Sequence, residues 1–396
     1  MISKSNLSPG VMALRVAGID PGTRSFDVVV LEDGRVVSEY SFDTLTIARS
    51  PEPLIDLVKS IDVDVIVAPS GYGVPVTWGY DVVDARRFAL ELLLLSKPSD
   101  LDFDDPGVNV YKALAEIVVE LLRGLPDRTL SIPSVILLPT VPWFRKVNKI
   151  DMGTADKLAS AVLAVHQYSL RESLDYGSVN LVVVETGYGY SGVVSVKEGL
   201  VVDGIGGTSA CIGPLTAGAL DLEVVAGVGK WGRWSILRGG LVDMVGVIDI
   251  HELVAVTRSG DERAGIAFEA YVECIAKDVS RALISTPRAE VVVVTGRNAR
   301  IPELREAIRE RIDLEVVTVE GLPGADKAKE SAQGYAMIGN GIAGGVFRDV
   351  VDHMRIEDAC GTVADYIIHP EALGLRDRIK DLYGRLVAKP KFCNNL

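Results

Sequence analysis

The chain has 396 residues, 48% hydrophobic content and a formal net charge of −13, with a mean hydropathy of +0.26. That is long enough for two domains with full cores and too apolar for a disordered chain. The excess of acid argues against nucleic acid and anionic membrane as main partners, but not against ATP, whose phosphates need only a few backbone amides and one metal ion.

No apolar run reaches the roughly 18 residues of a membrane span. Residues 1–10 are polar and lack the apolar segment of a secretion signal, which makes Met12 a candidate natural start. Cys211, Cys274, Cys360 and Cys393 are far apart, and His166, His251, His353 and His369 have no metal-ligand spacing. Neither a zinc site nor a disulfide framework is expected, and a reduced, cytoplasmic setting fits.

In chain order, strands are expected at Arg15 to Ile19, Asp27 to Leu31, Arg35 to Ser41, Val63 to Ala68 and Val135 to Leu138. Helices are expected at Pro53 to Ser60, Val82 to Leu95 and Val110 to Leu122. The first two strands flank Asp20-Pro21-Gly22-Thr23-Arg24-Ser25, an acid followed by a turn that can hold phosphate oxygens on backbone N–H groups. Ser70-Gly71-Tyr72-Gly73 lies between a strand and a helix, where α/β sheets usually place ligands. After a crossing at Pro139 to Ile150, Asp151-Met152-Gly153-Thr154-Ala155-Asp156-Lys157 opens a helix to about Tyr168. Asp151 reads as a cap, and Asp156 suits the positive end of the helix dipole.

The second half begins like the first. Asp20 to Val37 aligns without gaps on Glu185 to Val202, at a constant offset of 165 residues. Acid meets acid, Gly22 meets Gly187, Val28-Val29 meet Val193-Val194 and Gly34 meets Gly199. An internal duplication is the reading. Further on come the Gly206-Gly207-Thr208 turn, a helix from Arg258 to Leu283, and a buried strand ending in Thr295-Gly296-Arg297-Asn298. A small-residue helix at Lys327 to Gly341 precedes a mainly helical tail whose end, Lys389 to Leu396, is expected to fray.

This ordered set resembles the superfamily of acetate and sugar kinases, Hsp70 and actin, and within it the archaeal predicted butyrate kinases. Asp20 to Ser25 resembles that branch's first phosphate loop, Glu185 to Ser191 its second, and Thr295-Gly296-Arg297 its adenosine-side turn. Val202 to Gly218 and Ile132 to Pro139 resemble the stretches after the second loop and before the crossing helix. The resemblance implies an α/β protein with a duplicated ribonuclease-H-like, actin-like ATPase fold and two domains around a nucleotide cleft. Residues 12–150 would form the first domain, 151–176 the crossing helix and linker, 177–349 the second domain and 350–396 a helical tail.

It further implies ATP and Mg²⁺. Gly22, Thr23, Arg24, Ser25, Gly187, Tyr188, Gly189, Ser191, Gly206, Gly207 and Thr208 would surround the phosphates. Gly296, Arg297 and Asn298 would contact adenosine. Asp20 and Glu185 would hold the metal, and Ser70, Gly71, Tyr72 and Gly73 the substrate. The chain departs from the branch at Leu138, where the branch has Asp, and at Thr216-Ala217, where it has a phosphoryl-clamping Arg. Arg145, Lys146, Arg233 and Arg238 are candidate replacements. Gly153 to Lys157 resembles a segment of type III pantothenate kinases whose Asp is a base, which makes Asp156 the catalytic candidate. The expected activity is phosphoryl transfer from ATP to a short-chain carboxylate. The alternatives are a kinase for a hydroxyl acceptor using Asp156, and a non-catalytic ATP sensor. Expected partners are a small-molecule substrate and, as an option, a second copy in a homodimer.

Overall fold

The computed structural model describes residues 13–102 and 106–393; the candidate start at Met12 and the last three residues lie outside them. Among the described residues two mixed sheets carry the fold. The first has strand order β3-β2-β1-β4-β6-β5, and the second β11-β10-β7-β8-β9. The strands are β1 Arg15–Pro21, β2 Ser25–Glu32, β3 Arg35–Asp43, β4 Val65–Val67, β5 Thr77–Trp78 and β6 Thr129–Ser131 in the first half. In the second they are β7 Leu181–Thr186, β8 Ser191–Lys197, β9 Leu200–Ile205, β10 Val291–Thr295 and β11 Glu315–Thr318. Each sheet is an antiparallel meander extended by parallel strands, with the short β5 added antiparallel at the edge of the first, a ribonuclease-H-like topology.

The duplication holds to the level of register. Asp20 pairs with Asp27 across β1 and β2, and Glu185 pairs with Gly192 across β7 and β8, again 165 residues on. The next hairpin shifts register between Val30 and Leu31 in the first copy, and between Ser195 and Val196 in the second. Both two-residue turns are left-handed throughout: Asp33 and Gly34 at φ 49° and 76°, Glu198 and Gly199 at 53° and 72°. Two successive left-handed residues match the twist of the flanking strands, so the pattern forms a tight hairpin.

Two helices cross between the halves. Ala155–Glu172 packs on β7 and β8, and Glu330–Ile342 packs on β1, β2 and β4. They cross at Gly334, where an added Cβ would lie 2.0 Å from the Ala159 carbonyl oxygen. Gly18 of β1 is equally tight, since its Cβ would lie 2.4 Å from the backbone of Ala332 and Ala336. Small residues there let the backbones approach, and Val16, Leu158, Val162, Met337 and Ile338 close the interior around them, all fully buried.

Several elements differ from expectation. Val135–Leu137 is a 3-10 turn, and the strand at that place in the sheet is β6. Pro133, which has no N–H, interrupts the extended run, and the following residues are apolar because they are buried on every side. Val82 to Leu95 follows a 3-10 turn at Gly79–Asp81 and holds only a short helix at Ala85–Arg87 and a π-helical stretch at Phe88–Leu93. The helix from Arg258 divides at Gly260, with Asp261 capping Glu262–Ser285 through the amide of Ala264. The tail is less helical than expected before Leu373–Leu386, and that helix sinks Leu382, Tyr383 and Leu386 into the core of the first half.

The described end does not fray. Cys360 and Cys393 form a disulfide with Cα atoms 5.1 Å apart, Gly361 N–H donates to the Lys391 carbonyl, and Lys391 N–H donates to the Tyr383 hydroxyl. The 33-residue separation gave no spacing signal. No helix among the described residues is long and apolar enough to cross a membrane.

The tail also buries Lys146, whose ammonium donates to the Leu138 carbonyl at 2.8 Å and the Tyr366 hydroxyl at 3.1 Å. Burial brings its pKa down to about 8, against about 10.4 in an unfolded chain. The fold therefore prefers the neutral amine. As pH rises through 8 toward 10.4 the native state releases its proton first, and stability rises. A pH series of urea unfolding should show a gain of roughly 3 kcal/mol over this window, absent in Lys146→Met; equal slopes in both proteins would refute it. Gly334→Ala should lower stability by about 3 kcal/mol despite its better helix propensity. An unchanged urea midpoint would mean that the two helices do not cross this closely.

Candidate functional site

The two acid-to-glycine turns face each other across one cleft of about 430 Å³. Its walls include Asp20 to Arg24 from the first meander, Glu185, Gly187 and Tyr188 from the second, and Thr154, Asp156 and Lys157 from the crossing helix. The turns also touch each other: a Cβ on Gly189 would lie 3.0 Å from the Thr23 hydroxyl. Arg24 lies over the Tyr188 ring with 5.8 Å to its centroid.

Two lysines dominate the electrostatics. Lys329, at the start of Glu330–Ile342, places its ammonium 2.9 Å from Asp20 and 3.5 Å from Asp27. Lys157, in the first turn of the crossing helix, lies 2.7 Å from Asp156 and 3.1 Å from Glu185. The arrangement is pseudo-symmetric. Each lysine comes from the helix lying on a sheet and meets the acid that ends the first strand of that same sheet. Both lysines have raised pKa values: burial works against the charge, and the paired acids outweigh it. Burial also raises Asp20 and Glu185, against the pull of their lysines. Asp156 goes the other way. Burial alone would raise it, but Lys157 and the Thr154 hydroxyl hold it below the usual carboxylate range. Both its oxygens are engaged, Oδ1 by Thr154 at 2.5 Å and Oδ2 by Lys157.

Not every expected residue faces the cleft. Gly22, Thr23, Arg24, Gly187, Tyr188, Gly207, Thr208, Arg297, Gly71 and Tyr72 do, with Asp20, Asp156 and Glu185. Ser25 is buried behind it; its hydroxyl donates to Asp27 at 2.9 Å and accepts from Arg297 at 2.6 Å. Ser191 shares a 2.7 Å hydrogen bond with Tyr271 inside the second half. Asn298 donates to the Gly187 carbonyl at 2.6 Å and so braces the second turn. Gly296 takes φ 89° beside Glu185. Gly206 lies against Asp151, which accepts from the amide and hydroxyl of Thr208 and pins that turn. Ser70 is turned inward to the Ala68 carbonyl, and Gly73 packs on Ser134.

Among the candidate cations, Arg238 lines the cleft. Arg145 binds the Val202 carbonyl and Lys146 lies under the tail, both elsewhere. Arg233 stands behind Tyr72, donating to its hydroxyl and to the Leu94 carbonyl at 3.3 and 3.1 Å.

Asp20 and Glu185, the expected metal ligands, both line the cleft, and each is paired with an ammonium. A Mg²⁺ ion there would keep several of its waters and take further oxygens from phosphate, so one or two carboxylates would serve it. The cations that this chain supplies at the turns are Lys157 and Lys329, which sequence reasoning passed over because a lysine at a helix start looks like a solvated charge.

Comparison with known proteins agrees with this architecture. A probable butyrate kinase 2 from Caldanaerobacter subterraneus is 23% identical over 350 residues, covering 81% of this chain and 95% of that protein. Butyrate kinase 1 of Clostridium acetobutylicum is 20% identical, covering 83% and 94%. Among solved structures, a propionate kinase from Francisella tularensis superposes with a TM-score of 0.58 at 13% identity, over 82% of this chain and 98% of that one. The acetate kinase of Porphyromonas gingivalis gives 0.54 at 15%, over 81% and 98%. The chain thus has the duplicated, actin-like ATPase fold of the acetate and propionate kinases and is a distant homologue of butyrate kinases. Residues 18–369 match the family described as "Protein of unknown function (DUF1464)", and the chain belongs to that family.

Proposed function

We propose that this protein is an ATP-dependent small-molecule kinase that phosphorylates a carboxylate. The observation that carries the reading is the pair of register-matched acid-to-glycine turns lining one cleft, each with a lysine at the end of its first strand. Backbone amides of the turns would hold the phosphate chain, and Lys157 and Lys329 would meet its charge. Phosphoryl transfer asks mainly for positioning and charge stabilisation at the phosphoryl oxygens. Two fixed ammoniums offer that without the arginine of the butyrate kinase branch. The distant kinship with butyrate kinases supports the same choice.

The state of Asp156 favours a carboxylate over an alcohol as acceptor. A hydroxyl acceptor needs a base to take its proton. Asp156 has both oxygens engaged and a depressed proton affinity, which makes it a weak base. A carboxylate needs none: its oxygen attacks the γ-phosphorus, the bond to the ADP oxygen breaks, and an acyl phosphate and ADP leave. The second reading, a hydroxyl kinase using Asp156, keeps one observation in its favour, since Asp156 does line the cleft beside Lys157.

The test is incubation of the full chain with ATP and separate panels of carboxylic acids and alcohols, with hydroxylamine present to trap acyl phosphate as hydroxamate. Hydroxamate and ADP should form together with an acid. Release of ADP with an alcohol alone would replace the first reading by the second, and ATP binding without turnover on either panel would leave a sensor. With the active acid, Lys157→Met should lower kcat by about 10²–10³-fold; a loss under threefold would remove Lys157 from the chemistry.

A further inference from the structure

Beyond the charged turns, the cleft continues into a chamber of different character. Its walls are Leu94, Val110, Leu114, Leu215, Trp234 and Leu237, with the tyrosines Tyr72, Tyr111 and Tyr190 among them. The first half supplies the floor through the helix Pro106–Gly124. The second half supplies the roof through an excursion whose base is closed by a bridge between Thr216 and Gly239.

That roof is fastened to the floor. The Trp234 indole donates to the Asp100 carbonyl at 2.7 Å, and its ring stands edge-on to Tyr111 with centroids 4.8 Å apart. Next to it, Arg233 binds the Leu94 carbonyl and lies over the Tyr72 ring, 5.6 Å from its centroid. The fasteners spend the Trp234 indole and one Arg233 amino group on the protein itself, and the Tyr190 hydroxyl is likewise engaged by the Ile236 carbonyl at 3.2 Å; Arg233 Nε is buried without a partner, and Arg238 lines the same cleft. What remains facing the space is predominantly aliphatic and aromatic carbon. Burial also raises the pKa of Tyr111 and Tyr190, so both stay neutral phenols.

A ligand for such a space is charged at one end only. Its anionic end belongs with Lys157 and Lys329, and its body with the chamber. A two- to four-carbon acid would leave most of this apolar wall uncovered. Each further methylene buried there is worth about fourfold in affinity, and rings gain further from edge-to-face contact with Tyr111 and Trp234. We propose that the acceptor is a monocarboxylic acid with a bulky apolar body, aryl-substituted or of six or more carbons, rather than acetate or butyrate. This rests on the carboxylate-kinase reading and adds the class of acid to it.

The experiment compares acetate, butyrate, hexanoate, phenylacetate and 4-phenylbutyrate with the full chain, by hydroxamate formation and by calorimetric titration in the presence of a non-hydrolysable ATP analogue. The larger acids should exceed butyrate at least tenfold in kcat/KM and in affinity. Leu114→Trp, which fills the chamber, should cut that ratio at least fivefold; thermal melting checks its fold, and the wild-type titrations stand without it. Acetate or butyrate as the preferred acid overturns the inference and leaves the kinase reading intact. Aryl acids that compete with the ATP analogue, instead of binding beside it, also overturn it, because the chamber would then be the base pocket. Absence of both turnover and binding with every acid removes the kinase reading and this inference together.

Discussion

The architecture depends on how closely two helices can pass. Gly334 meets the Ala159 carbonyl with no room for a methyl group, and Gly18 meets Ala332 and Ala336 in the same way. Each helix lies on one sheet and leans on the other helix. Separating them by one side chain would move both sheets, and the two turns would no longer share a cleft. The small residues of Glu330–Ile342 are a geometric requirement before they are anything else. The hydrophobic interior then fixes the result, because close-packed cores transmit displacement rather than absorb it.

The same crossing delivers the charges. A helix that begins where a strand ends puts its first turn beside that strand's last residue. Lys157 thereby meets Glu185, and Lys329 meets Asp20. Buried ion pairs contribute little net stability, because desolvation offsets much of their attraction, yet removing one partner costs about 3–5 kcal/mol. Two such pairs facing a cleft therefore add little to the net stability of the fold, and burial pushes Asp20 and Glu185 toward the neutral acid against the pull of their lysines.

Much of this was legible in the chain. The acid, the glycine turn and the valine runs recur at one offset, and the structure repeats them in register, bulge and turn conformation. Legibility fell where contact is made across the sequence. Lys157 and Lys329 lie outside the repeated meander, at a spacing of 172 rather than 165, so no alignment brings them together. Ser25, Ser191 and Asn298 carry the right chemistry in the right loops but point inward, where they brace the turns. Side-chain direction in a turn is set by neighbours that the local sequence does not show. Val135 to Leu138 has strand composition because it is buried, and burial rather than pairing made it apolar.

The matched bulges have a consequence for what each half can tolerate. A slip of one residue in a ladder turns every later side chain to the opposite face, so the shifts at Val30–Leu31 and Ser195–Val196 set which residues of each meander's outer strand face inward. Each wall of the cleft comes from a different half, so an insertion or deletion in either hairpin would misface that half's outer strand and leave the other half's wall as it is.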